Sequence, residues 1–135
     1  MKRERTLIER VSDFSNLYYA YRACRRGKRR SVDYQRTSFA IGEKLRTVQE
    51  QLCRGHYQWG GYKEFYVHDP KKRLIMCAPF LDRVVHHALC QVIEPTLDQL
   101  MPKCVYACRK GKGNRAAVID LGAWLDYYGE KVTDG

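Results

Sequence analysis

The chain has 135 residues, the length of one ordinary domain and too short for two. Hydrophobic residues make up 44% and charged residues 30% of it, a composition that excludes an intrinsically disordered chain. The 25 lysines and arginines outnumber the 15 acidic residues, giving a net charge of +10, and such an excess favours polyanionic partners. A basic protein without a nucleic-acid partner has the same composition, so charge alone does not decide between the two.

The sequence shows no export signal, because charges fill the first ten residues and no apolar segment follows them. The longest charge-free apolar stretch, residues 84–93, is half the length needed to cross a bilayer. The six cysteines are therefore expected to be free thiols in a reducing compartment rather than a disulfide framework. These features predict a cytoplasmic protein without a membrane partner.

The first 54 residues are interpreted as a basic helical region. Apolar residues at steps of three and four predict an amphipathic helix at its start; they are Leu7, Ile8, Val11, Phe14, Tyr18 and Tyr21. Residues 25–30 carry five positive charges, which cannot enter a core, so they are predicted to be exposed. A second helix is predicted from Ile41 to Leu52, with Gly55 as its left-handed stop.

Residues 55–135 are interpreted as one further structural unit that begins with a β-hairpin. Aromatic and β-branched residues at 62–68 and an extended run at 73–77 flank turn chemistry at 69–72, so the hairpin has a basic tip. A helix is predicted to begin near Asp82, which could cap it, and to end or kink at Pro95. A last helix is predicted from Asn114 to Gly129, so the predicted fold class is α+β.

A zinc site is the first candidate functional site to consider, because Cys104 and Cys108 are four residues apart and His86 and His87 lie upstream. Structural zinc needs a second ligand pair at fixed spacing, and adjacent helical histidines point in different directions. No base stands beside a cysteine to activate it. The sequence therefore predicts neither a metal or other cofactor nor a cysteine nucleophile in this chain.

Three further segments occur in a recognisable order. They read FYVHDPKKRLI at 65–75, FLDRVVHHALC at 80–90 running on to IEP at 93–95, and YACRKGKG at 106–113. Together they resemble the opening motifs of bacterial reverse transcriptases, which are RNA-directed DNA polymerases related to group II intron and retron enzymes. The early NLYYAYR and GKRR segments within 16–30 make the resemblance closest to the enzymes of diversity-generating retroelements.

This resemblance covers residues 12–121 and implies the fingers subdomain of a right-hand polymerase, which binds template RNA and the incoming nucleotide. In the family a fingers arginine matching Arg73 contacts the triphosphate; the candidate assisting lysines here are Lys63, Lys71 and Lys72. Without the resemblance, Arg73 would be read as a solvated strand residue. The candidate RNA-binding residues are Arg25, Arg26, Lys28, Arg29, Arg30, Arg83, Arg109, Lys110 and Lys112.

Several of these residues have a purely structural alternative. Asp82 and Arg83 can open a helix towards a phosphate, or form only a cap and a local salt bridge. The loop around Arg109 can be simply solvated. Tyr18 and Tyr21 lie near the basic run and could stack on unpaired bases, but their helical spacing favours the core.

The resemblance also implies a missing part. In the family, carboxylates of the palm hold two Mg²⁺ ions, and this sequence contains no Asp-Asp pair. Asp134, near the end, lacks the family's context and is not assigned. The expectation is an N-terminal fragment that is inactive alone, with Mg²⁺ needed only by the complete enzyme.

The implied partners are template RNA, an RNA–DNA duplex, and the palm and thumb portion; the small basic accessory protein of these retroelements is a further candidate. The alternative is a non-enzymatic RNA-binding protein or accessory subunit derived from such a fragment.

Overall fold

The computed structural model describes residues 6–133, with side chains described as far as Gly129; Asp134 lies outside the described residues. Its helices and its single two-stranded antiparallel sheet confirm the predicted α+β class. In chain order the elements are α1 (Leu7–Val11), α2 (Phe14–Cys24), α3 (Val32–Ser38), α4 (Ile41–Arg54), β1 (Lys63–His68), β2 (Lys72–Cys77), α5 (Phe80–Leu100) and α6 (Asn114–Thr133).

The chain forms two compact units whose division falls inside α5. The first comprises the described residues up to Glu94, and the second begins at Pro95. Proline was expected to end or kink this helix; the helix does not end there, since α5 continues through Pro95 to Leu100. Because a proline nitrogen carries no hydrogen, the helical bond to the carbonyl of Gln91 is missing at this point.

The predicted N-terminal helix is in fact two helices. Thr6 and Glu9 form a reciprocal capping box at the start of α1, and the Asp13 carboxylate accepts from the Ser15 amide to start α2. Apolar spacing continues across this break, which is why the spacing alone did not reveal it. Tyr21 is buried as predicted, but Tyr18 is 42% exposed.

The connection between the first helices and α4 contains a short helix, α3, that the sequence did not predict. The Ser31 hydroxyl accepts from the Tyr34 amide and so caps its first turn. The next helix, α4, matches the prediction closely. It ends at Gly55, whose positive φ of 69° is the left-handed conformation that glycine adopts without strain.

The buried core lies in the first unit, between α1, α2, α4 and α5. Its residues are Val11, Leu17, Ala20, Tyr21, Leu45, Val48, Phe80, Val84, Val85, Ala88 and Val92. Phe80 meets the rings of Tyr21 and Tyr34 edge-on, with centroids 6.1 and 5.3 Å away. Burying each large apolar side chain contributes about 1.5–3 kcal/mol, so these helices hold the surrounding polar surface in place.

Candidate nucleic-acid interface

An open cleft of about 520 Å³ lies in the first unit beside α2 and the turns that follow it. We call it the arginine cleft. Its lining residues are Asn16, Tyr19, Arg22, Ala23, Arg25, Arg26, Arg29 and Gln91. Three of these, Arg25, Arg26 and Arg29, were predicted from the sequence as RNA contacts, and all three line the same cleft.

Local structure explains how the arginines come together. Tyr19 and Arg22 are three residues apart on α2, so they share the face that does not carry its buried residues, and Arg26 follows in the turn after the helix. After α2 the chain continues in successive turns, in which the Lys28 amide donates to the Arg25 carbonyl over 3.1 Å. Gly27, with a φ of 70°, permits this turn, which returns Arg29 to the cleft.

Within the described residues, no carboxylate neutralises the positive charge of the cleft. Among the residues that the structure describes, none of Arg22, Arg25, Arg26 and Arg29 forms an ion pair with a carboxylate. The Arg25 guanidinium lies 6.0 Å from the centre of the Tyr21 ring, a cation–π contact that leaves its charge available. Guanidinium groups held together in this way repel one another, and a bound anion would relieve that repulsion.

Two amide side chains complete the cleft wall. The Asn16 Nδ2 donates to the carbonyls of Val11 and Ala88, both at 3.0 Å. Two carbonyl partners fix the orientation of this amide, because its oxygen cannot face them. Its Oδ1 is thus left as an acceptor without a partner among the described residues, and Gln91 is exposed on α5 nearby in the same lining.

Sequence reasoning missed Tyr19, Arg22, Asn16 and Gln91. The spacing of Tyr19 with Arg22 and Arg26 was a signal for the first two, since it places them on one helical face. The contribution of Gln91 was not visible, because it depends on how α5 packs against α2. Of the other predicted residues in the basic run, Lys28 and Arg30 are exposed but do not line the cleft.

The hairpin separates the predicted nucleotide-binding residues. In its register Lys63 pairs with Cys77, Val67 with Arg73, and His68 with Lys72. Because side chains alternate along a strand, Lys72 and Arg73 project from opposite faces of the hairpin. Lys63 shares the face of Arg73 but lies four residues away, about 14 Å along the strand.

The two basic residues at the start of β2 also have different surroundings. The Lys72 ammonium lies 4.3 Å from the centre of the Tyr66 ring. Arg73 is exposed and forms no ion pair or side-chain hydrogen bond within the described residues, and Lys71 lies exposed in the turn. The Arg73 guanidinium is therefore available to a phosphate, which it can bind with two parallel hydrogen bonds.

Asp82 does not cap α5, which already begins at Phe80. Its buried carboxylate accepts from the Tyr57 hydroxyl at 2.6 Å and from the Gly60 amide at 2.7 Å. Burial and this carboxylate both raise the pKa of Tyr57 well above its usual value. A Cβ on Gly60 would stand 2.6 Å from the Pro79 ring, so the loop requires glycine there.

The N-terminus of α5 is closed by Asp33 of α3. The Asp33 carboxylate accepts from the Phe80 amide at 2.7 Å and lies 3.8 Å from the Arg83 guanidinium. A protein carboxylate thus occupies the position that a phosphate would take, but it belongs to the distant Asp33 and not to Asp82, to which the sequence assigned the cap. The Arg83 guanidinium also lies 5.4 Å from the centre of the Phe80 ring.

The basic loop of the second unit binds its own backbone. Arg109 donates to the Asp98 carboxylate at 2.6 Å and to the carbonyls of Asp98, Pro102 and Val105. The Arg109 bond lowers the pKa of Asp98. Lys112 donates to the Lys103 carbonyl. Of the three cations predicted to contact RNA in this loop, Lys110 is left exposed without a partner among the described residues.

The cysteines and histidines form no evident chemical centre in the described part of the chain. No group of three or more His, Cys, Asp or Glu residues there could hold a metal ion, and the six cysteines are free. Burial raises the pKa of the Cys24 thiol to about 11, with Arg83 acting in the opposite direction. His86 stacks on the Trp59 indole with ring centroids 5.0 Å apart.

Comparison with known proteins gives no family for this chain. No protein-family model matches it, and no curated protein matches it. In the described residues, no helix combines the length and apolarity needed to cross a membrane.

Proposed function

We propose that this chain is the N-terminal fingers part of a reverse transcriptase and that its own task is to bind RNA. The observation that carries the proposal is the arginine cleft, which four arginines line without a carboxylate partner in the described residues. One guanidinium group can donate to two oxygens of a phosphate at once, and each phosphate that is neutralised releases condensed counterions. An RNA backbone carries one phosphate per nucleotide and can therefore neutralise several arginines of one cleft.

The polymerase part of the proposal is supported by the order of the three motifs and by the exposure of Arg73 on the hairpin. In the complete enzyme, Arg73 would contact the triphosphate of the incoming nucleotide. The palm and thumb portion would supply carboxylates for Mg²⁺, and the chain would work in the cytoplasm on template RNA and an RNA–DNA duplex. The accessory protein of diversity-generating retroelements would be a further partner.

The RNA-binding proposal is tested by measuring RNA affinity against salt concentration. Replacing Arg22, Arg25, Arg26 and Arg29 together with alanine should flatten the log–log slope by roughly 2–4, since up to four phosphate contacts are lost. The matched control removes four exposed arginines that do not line the cleft: Arg36, Arg46, Arg54 and Arg115. An equal flattening in both variants would show that net charge, rather than the cleft, binds RNA.

The nucleotide role of the hairpin is tested in an enzyme completed with a palm segment. Arg73→Ala should raise the KM for every nucleotide. It should also lower kcat/KM by a factor that corresponds to a loss of roughly 2–4 kcal/mol of transition-state stabilisation, if the contact is a desolvated charge pair. Lys72→Ala removes a neighbouring charge from the opposite face of the hairpin and serves as the control. Equal effects of the two variants would contradict a specific contact by Arg73.

A further inference from the structure

The arginine cleft contains groups that phosphate binding alone does not require, namely an exposed aromatic ring and two amide side chains. We propose that it holds one unpaired nucleotide, with the base stacked on Tyr19 and the phosphate bound by the arginines. This inference rests on the proposed RNA binding and specifies which form of RNA the chain binds. The same chemistry, a base linked to a phosphate, also occurs in a free nucleotide.

Tyr19 is the first reason for the inference. Its side chain is 60% exposed, it lines the cleft, and its ring stacks on no other aromatic ring in the described residues. An exposed aromatic side chain beside a basic groove is the arrangement with which proteins stack unpaired bases. Arg22 lies one helical turn further along α2, so a ring and a guanidinium stand side by side on one face.

The polar groups of the cleft are the second reason. The Asn16 Oδ1 is held in place by the two bonds of its Nδ2, and the Gln91 amide is exposed. Such groups can hydrogen-bond the edge of a base or a ribose hydroxyl. In a duplex the base edges are already paired and stacked, so only an unpaired residue presents both its ring face and its pairing edge.

The size of the cleft is the third reason. A volume of about 520 Å³ falls within the range of sites that enclose one small organic molecule. One nucleotide projecting from a strand can enter a cleft of this volume. The cleft therefore distinguishes unpaired from paired nucleic acid by the ring that it offers.

The test compares three probes on the full chain: a 12-nucleotide single-stranded RNA, a blunt 12-base-pair RNA duplex, and free AMP. Fluorescence anisotropy measures binding of the two RNAs, and calorimetry measures binding of AMP. Tyr19→Ala should weaken single-strand binding by about 5- to 100-fold and leave duplex binding unchanged, because only an unpaired base stacks on the ring. Tyr19→Phe should restore it, and Tyr18→Ala, an exposed neighbour outside the cleft, should have no effect.

The outcomes separate this inference from the proposed function. If Tyr19→Ala leaves single-strand binding unchanged, or weakens the duplex equally, the nucleotide site is overturned although RNA binding stands. If the chain binds neither RNA but binds AMP in a manner that depends on Tyr19, the site stands for a free nucleotide and the proposed function fails. If all three probes fail to bind, both are wrong.

Discussion

The two compact units of this chain use similar residues for opposite purposes. In the first unit, the arginines of the cleft point into open space while a helical core holds the backbone beneath them. In the second unit, Arg109 and Lys112 are tied to carbonyl groups of their own loop. A count of positive charges therefore does not measure the charge that is available to a partner, because a guanidinium satisfied by backbone carbonyls has little left to offer.

The reason for the difference lies in burial. The first unit contains all the buried residues of the described part of the chain, whereas no residue from Pro95 to Gly129 is buried. In the first unit apolar contacts fix the backbone, so its fold does not depend on the cleft arginines binding the protein. The second unit has no such core, and its loop is organised by polar contacts, including a bond from the Tyr106 hydroxyl to the Asp120 carboxylate.

Among the substitutions that test this comparison of the two units, Asp82→Ala is expected to have the largest effect on stability. Asp82→Ala removes a buried carboxylate and leaves the Tyr57 hydroxyl and the Gly60 amide without an acceptor. Since hydrogen bonds to a charged group contribute about 1.5–3 kcal/mol each, the loss of these two bonds should destabilise the first unit by about 3–6 kcal/mol. Urea unfolding followed by Trp59 fluorescence, in a Trp124→Phe background, measures this loss.

Asp98→Ala is the counterpart in the second unit, where the carboxylate is exposed. It should leave the transition reported by Trp59 unchanged. An equal shift of that transition in both variants would contradict the view that only the first unit depends on a buried polar contact.

A smaller loss is expected from Gly60→Ala. The new methyl group would stand 2.6 Å from Cγ of Pro79, a rigid ring, so the loop must move and weaken its bond to Asp82. Overpacking of this kind costs about 1–3 kcal/mol. Gly61→Ala is the matched control, because a Cβ there meets no atom within 4 Å. Equal urea midpoints for the two variants would show that the Pro79 contact is not rigid.

The difference in available charge between the two units predicts a modest difference in how their variants change the salt dependence of RNA binding. Arg26→Ala should reduce the log–log salt slope by about one, the value for one phosphate contact. Arg109→Gln should leave the slope unchanged, because that guanidinium is already bound to its own loop. If Arg109→Gln reduces the slope to the same extent, Arg109 is part of the RNA-binding surface after all.

The smallest effect concerns the cysteines. The pKa of about 11 keeps the half-buried Cys24 protonated at pH 8, so iodoacetamide should modify it more slowly than the exposed Cys104 and Cys108. Since the folded pKa is raised, the contribution of this thiol to stability is complete below about pH 9 and is lost as the pH rises towards 11. Mass spectrometry of the alkylated peptides gives the rates, and equal rates at pH 8 would contradict the burial of Cys24.

The features that could be predicted from the sequence are those with local causes. The apolar spacing and terminal glycine of α4, and the turn chemistry at 69–72, need no distant partner, and both elements were predicted. The break before Asp13 was missed because the apolar spacing runs across it. The acceptor at the start of α5 was assigned to Asp82, whereas it is Asp33, which lies 47 residues before Phe80 in the chain.

The candidate site follows the same rule. Residues adjacent in sequence were readily grouped as a basic run, and part of that run does line the cleft. The cleft itself depends on α5 contributing Gln91 and on the anchoring of Asn16 to the Ala88 carbonyl. These are tertiary contacts, which a pattern of spacing along one helix cannot reveal. For the same reason, the sequence could not show that Arg109 turns back onto its own loop.

The alternation of side chains in the hairpin has a consequence for changes in chain length. Lys72 and Arg73 are adjacent in sequence and project from opposite faces of the hairpin, so the register of the strands decides which face carries the guanidinium. An insertion of a single residue between the turn and Arg73 would transfer that charge to the other side while every amino acid is retained. An insertion of two residues would return it, so this hairpin is more sensitive to an odd change in length than to an even one.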